Sequence, residues 1–135
     1  RFFPEPTHSF YELVLEEEPV LIVTAAEDAA LSYTAKAQQE LNKLSYSDVE
    51  YASLNELLTK AKNQYNIGFM AQWDGVILES DSGANPSLQT QSEWLKKYCD
   101  ALNAYAKSQA ISLQVYNALV PVPTKLSELR HYNAP

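Results

Sequence analysis

Directly after Pro19 the chain runs Val20-Leu21-Ile22-Val23, four apolar residues of which three are β-branched. Such a run, bounded by a proline, predicts a strand covered on both faces. The covering elements must then be amphipathic helices. The next segment, Thr24 to Ser32, contains no Cys, His, Gly or Lys. The strand therefore leads the backbone to a place with no group suited to redox or thiolate chemistry.

The flanking segments supply such helices. Glu27 and Asp28 are acids suited to a helix start, and the chain from there to Leu44 is rich in Ala, Gln, Lys and Glu, with Leu31, Ala35, Gln38 and Leu41 as a weak apolar stripe. Ser45–Asp48 reads as a turn and Val49–Leu54 as a short strand. Asn55 is an expected N-cap. Leu54, Leu57, Leu58, Ala61 and Tyr65 then share one helical face. Ile67–Gln72 and Val76–Glu79 flank Trp73-Asp74-Gly75, and an Asp-Gly pair between two apolar runs predicts a hairpin. Asp81–Ser87 reads as loop. Leu88–Lys107 reads as the longest helix, with Leu95, Cys99, Leu102 and Ala106 inward. Alternation from Ile111 to Leu119 predicts a last strand. Nearer the N-terminus, the capping box Ser9-Phe10-Tyr11-Glu12 predicts a short helix from Phe10 to Glu17, with a strand through Tyr11–Leu15 as the competing reading.

Helices alternating with strands predict an α/β fold: a single-domain mixed sheet flanked by helices. The expected division is an extended N-terminal arm over residues 1–8, one domain over 9–120, and a Pro-containing C-terminal tail over 121–135. The chain begins at Arg1 rather than Met, which predicts a fragment or a processed form.

This layout resembles a thioredoxin-like fold. "PVLIV" resembles that family's central strand, "VEYASL" its next strand, "GFMAQWDGVILES" its hairpin, and "SGANPSLQTQSEWLKKY" the approach to its last helix. The family's Cys-x-x-Cys slot is filled by Ala29-Ala30-Leu31-Ser32, and Ile67-Gly68 stands where its cis-proline would be. The resemblance therefore implies a redox-silent module. A receiver-type doubly wound fold resembles the chain less well. Thr24-Ala25-Ala26 separates Val23 from the acids, and Asp74 falls in the expected hairpin turn.

Bulk properties limit the partners. A net charge of −7 repels phosphate backbones, so nucleic acid is not expected. No apolar run approaches the 18 or so residues of a membrane span. One cysteine, Cys99, excludes an intrachain disulfide and a multi-thiolate zinc site, and on an apolar stripe it reads as a buried thiol. Three glycines leave no Gly-rich phosphate loop. The two histidines, His8 and His131, stand near opposite ends and form no i, i+4 metal pair. No cofactor is implied.

The expected function is a non-catalytic protein-interaction module that binds another protein or another domain of its parent chain. Trp73 and Asp74 at the hairpin, Glu27 and Asp28 at the strand end, and Gly68 are its candidate binding residues. Nine tyrosines add polar-tipped aromatic surface. Two alternatives stand beside it: a structural subunit using its terminal arms, and a small carboxylate-based hydrolase or transferase using Glu27 and Asp28. Homo-oligomerisation stays open.

Overall fold

The computed structural model describes residues 19–120. These form three long helices: α1 (Pro19–Leu41), α2 (Val49–Asp81) and α3 (Leu88–Leu119). Helix accounts for 86% of the described residues and strand for none. The α/β sheet and the thioredoxin-like outline are thereby corrected to a three-helix bundle. The expected arm, the Phe10–Glu17 helix, the proline-containing tail and both histidines lie outside the described residues.

Each helix carries inward residues at alternating spacings of three and four. In α1 they are Val23, Glu27, Ala30, Thr34, Ala37 and Leu41. In α2 they run Leu58, Ala61, Tyr65, Gly68, Gln72, Gly75 and Glu79, and in α3 Trp94, Tyr98, Ala101, Tyr105, Ser108, Ser112 and Val115. A seven-residue repeat of this kind keeps one seam facing its neighbours over many turns. It also explains why the helices can be so long: burial along a continuous seam, rather than local propensity, stabilises them.

Two layers make up the interior. One gathers Val23 and Ala30 with Trp94, Leu95, Tyr98, Ala101 and Tyr105. The other gathers Ala37 and Leu41 with Leu58, Ala61 and Val115. α2 runs antiparallel to α3, and α1 runs antiparallel to α2. α2 and α3 share the most contact, α1 and α2 the least.

The close approach of α2 to α3 rests on two glycines. A Cβ on Gly68 would stand 2.7 Å from the Tyr105 ring, and one on Gly75 would stand 2.8 Å from the Tyr98 ring. Each phenol thus fills the space a side chain would have taken. Each also ends on α2: Tyr98 donates to Glu79 Oε1 at 2.7 Å, and Tyr105 donates to Gln72 Oε1 at 2.6 Å. Deeper in, the buried Ser108 hydroxyl donates to the Ala61 carbonyl at 2.7 Å, and Thr34 and Ser112 share a 3.0 Å hydrogen bond.

Every expected strand falls inside a helix. Val20–Val23 forms the first turns of α1, which Pro19 opens rather than precedes. Proline suits that place, because its fixed φ is helical and its missing N–H would have had no partner there. A four-residue apolar run carries no period of its own, so it fits a helix start as well as a strand. Val49–Leu54 opens α2, behind Asp48 as N-cap rather than Asn55. The expected hairpin is mid-helix: Gly75 sits there for packing, not for turning. Ile111–Leu119 continues α3, which therefore extends well past Lys107. The inward stripes shift as well. Leu31 is 51% exposed, Ala35 and Ala106 are exposed, and Cys99 and Leu102 are half-buried.

The connections agree with the turns expected. α2 stops at Ser82, followed by Gly83 at φ +82°, the left-handed residue common after a helix end. α3 starts behind Ser87, whose Oγ accepts from the Thr90 amide at 3.1 Å.

Candidate functional site

Each residue singled out in the sequence has a place in this bundle. Glu27 lies in the third turn of α1, not at a helix start, and accepts the Tyr65 hydroxyl at 2.7 Å. Asp28 beside it is exposed. Gly68 is buried beneath Tyr105. Trp73 and Asp74 lie on the outside of α2. Trp73 is half-exposed, and Asp74 Oδ2 stands 3.8 Å from Lys97 Nζ on α3. The five therefore do not converge. Glu27 and Gly68 serve the packing, whereas Trp73 and Asp74 belong to a surface.

That surface is the outer face of α2 between residues 67 and 77. Ile67, Met70, Trp73 and Ile77 are all more than half exposed, and Phe69 is 39% exposed. Inward residues of α2 recur at their own seven-residue register, so Met70 and Ile77 fall on the opposite side, with Ile67 on one shoulder of it and Trp73 and Phe69 on the other. The same outer face between residues 55 and 63 is polar, with Asn55, Glu56, Lys60 and Asn63 exposed; Val49, at the start of α2, is a single exposed large apolar residue apart from the patch. The apolar stretch is thus local to the second half of the helix. Single exposed apolar residues are ordinary, but a contiguous patch marks a place of contact.

Aromatic rings tie the patch to the interior. Tyr105, in the core, lies 5.5 Å from Tyr65 between ring centroids. Tyr65 stacks on Phe69 at 6.3 Å, and Phe69 meets Trp73 edge-on at 6.1 Å. Trp73 is therefore held by a line of rings rather than swinging free. Rigid aromatic side chains lose little entropy on binding.

The phenols of this line are not poised for chemistry. Burial first, then the hydrogen bond and charge of Glu27, push Tyr65 up to about 12. Burial and Glu79 raise Tyr98, and burial and the charge of Glu27 raise Tyr105. All three stay protonated as donors at neutral pH. Burial, then the charge of Asp100, pushes the Cys99 thiol up, away from the reactive thiolate.

Among the described residues no three His, Cys, Asp or Glu side chains gather to hold a metal ion. None of the described helices is long and apolar enough to cross a membrane. A cleft of about 330 Å³ opens at the α1–α2 turn, lined by Asn42, Leu44, Tyr46 and Tyr51. Its walls offer amide, phenol and aliphatic groups, and no carboxylate or thiol.

Sequence reasoning finds Trp73 but sets it beside a turn. It misses Ile67, Met70 and Ile77, which read as residues of the two hairpin strands. A signal is present: these residues share spacings of three and seven with one another. No family model, no curated protein and no solved structure matches the chain.

Proposed function

We propose that this chain is a non-catalytic helical interaction module that takes its partner on the outer face of α2. The observation that carries this reading is the run of Ile67, Phe69, Met70, Trp73 and Ile77, exposed together in the second half of α2 while the exposed residues from Asn55 to Asn63 are polar. Contact on such a patch removes apolar surface from water at about 25 cal/mol per Å². A Trp held by neighbouring rings is the kind of anchor that dominates interface energies. The ionisable and polar side chains of the interior support the same reading, since Glu27, Gln72 and Glu79 accept tyrosine hydroxyls.

The test is site-specific photo-crosslinking in the cells that make the protein. A photoreactive residue at position 70 reports on the apolar half of the face. One at position 56, two heptads earlier on the same face, is the control. Discrete adducts from position 70 and none from position 56 are expected. Equal capture at both positions, or none at either, overturns the proposal.

A further inference from the structure

The cleft at the α1–α2 turn has a polarity set by a relay of hydrogen bonds behind it. Lys62 Nζ donates to Gln38 Oε1 at 2.7 Å, and Gln38 Nε2 donates to Asn42 Oδ1 at 2.8 Å. An ammonium can only donate, so Lys62 fixes which way the Gln38 amide points, and Gln38 in turn fixes Asn42. The Asn42 oxygen is engaged, and its Nδ2 is left as the donor. Among the described residues, neither Asn42 Nδ2 nor the hydroxyls of Tyr46 and Tyr51 donate to a protein atom. The two phenol rings meet edge-on at 5.0 Å and 76°, two apolar walls at a corner. No charged side chain lines the cleft, and Lys43, next to Asn42 in sequence, is paired with Glu40 at 3.0 Å.

Free donors beside aromatic walls, without charge, suit a neutral segment rich in carbonyl acceptors and apolar rings. Extended backbone containing proline is such a segment. Each proline removes an N–H and leaves the carbonyls, and the rings pack on aromatic faces.

The chain carries one within reach. α3 ends at Leu119, which packs on the same interior layer as Leu44 and Tyr51 of the cleft. Val120 is buried and leaves the helix at φ −79° and ψ 126°, close to polyproline geometry. The sequence then continues Pro121-Val122-Pro123-Thr124. Four residues in that geometry span roughly 12 Å, more than the 8–10 Å or so between the axes of packed helices.

We propose that this cleft is the docking site of the chain's own Pro121-Val122-Pro123 segment. A proline ring lies against Tyr46 and Tyr51, and a carbonyl of the segment accepts from Asn42 Nδ2. The segment straps the end of α3 to the α1–α2 connection, at the other end of α2 from the exposed patch and independently of what binds there. A short tether holds the segment at an effective concentration in the millimolar range, so an open cleft suffices.

Nuclear magnetic resonance of the whole chain tests it. Nuclear Overhauser effects from the Tyr46 and Tyr51 ring protons to the δ protons of Pro121 or Pro123 are expected, unchanged on dilution. In the Pro121→Ser/Pro123→Ser variant the amides of residues 43–48 should exchange roughly 5-fold faster. Amides around the buried Ser108 should keep their rates, which is the folding control. Tyr46→Ala, at a ring 86% exposed and outside the core, should abolish the effects. So should Asn42→Asp, which keeps the acceptor for Gln38 and removes the donor. A parent chain without these effects, or with effects that fade on dilution, overturns the proposal. If a free peptide of residues 119–126 then shifts the cleft resonances, the cleft takes a proline segment from another molecule instead. Effects that survive Asn42→Asp, or loop exchange indifferent to the proline replacements, overturn it as well.

Discussion

Two residue types at opposite extremes of size set the distance between α2 and α3. Glycine is ordinarily a poor helix residue, costing about 1 kcal/mol against alanine. At Gly68 and Gly75 that cost is offset by a ring lying where Cβ would be. Gly68→Ala and Gly75→Ala should therefore each destabilise the bundle by roughly 1–2 kcal/mol despite their better propensity, since overpacking outweighs it. Urea unfolding would read the loss, and an alanine variant as stable as the parent would contradict the close packing. Tyr98→Phe keeps the ring and removes the donor to Glu79, leaving that carboxylate without its phenol. A loss of about 1–2 kcal/mol is expected by the same measurement. The phenols also fix the alkaline limit. Tyr65 rises from 10.0 to about 12 on folding, and Tyr98 and Tyr105 rise as well. The folded chain holds these protons more tightly than the unfolded one, so their contribution is whole below pH 10. It is lost as pH climbs from there through 12. Thermal midpoints should be flat from neutral pH to about 10 and fall above it, and Tyr65→Phe should shrink that fall.

At the scale of elements, the two connections between helices are legible in the sequence, whereas helix interiors and the ends expected at Asn55 and Lys107 are not. The Ser45–Asp48 turn, the 81–87 loop and the start of α3 at Leu88 agree between sequence and structure, because Ser, Asp, Gly and Pro act there through local backbone chemistry. Ser87→Ala should accordingly cost about 1 kcal/mol, measured as a lowered urea midpoint. Inside the helices the same residue types mislead. Asp74-Gly75 has the composition of a tight turn, and nothing local reveals that Tyr98, on the next helix, needs the space. The seam residues of α2 and α3 are Gly, Ala, Ser and Tyr far more often than Leu or Val, so a search for aliphatic periodicity breaks these helices into shorter pieces. Val20–Val23 and Ile111–Leu119 read as strands for the related reason that a short apolar run is decided by what it packs on. The candidate surface is half legible. Composition alone points to Trp73 and Asp74, whereas Ile67, Met70 and Ile77 become outward-facing only once residues 67–77 are known to be one helix.

For the molecule as a whole, the bundle has an uneven girth. α1 touches α3 far more than α2, so the seam between α1 and α2 is the least closed of the three. The line of rings from Tyr105 to Trp73 runs out of the core along this same flank of α2. Its outer end holds one of the two tryptophans, Trp73 at 51% exposure, while the other, Trp94 at 7%, lies in the interior beside Leu95 and Tyr98. The chain thereby carries two indole fluorophores in opposite surroundings. Emission from Trp94 is shielded from a soluble quencher until the helices come apart, and emission from Trp73 is quenched freely until something sits on α2. With each silenced in turn by replacement with Phe, one protein yields separate optical records of unfolding and of surface occupancy, without any added label.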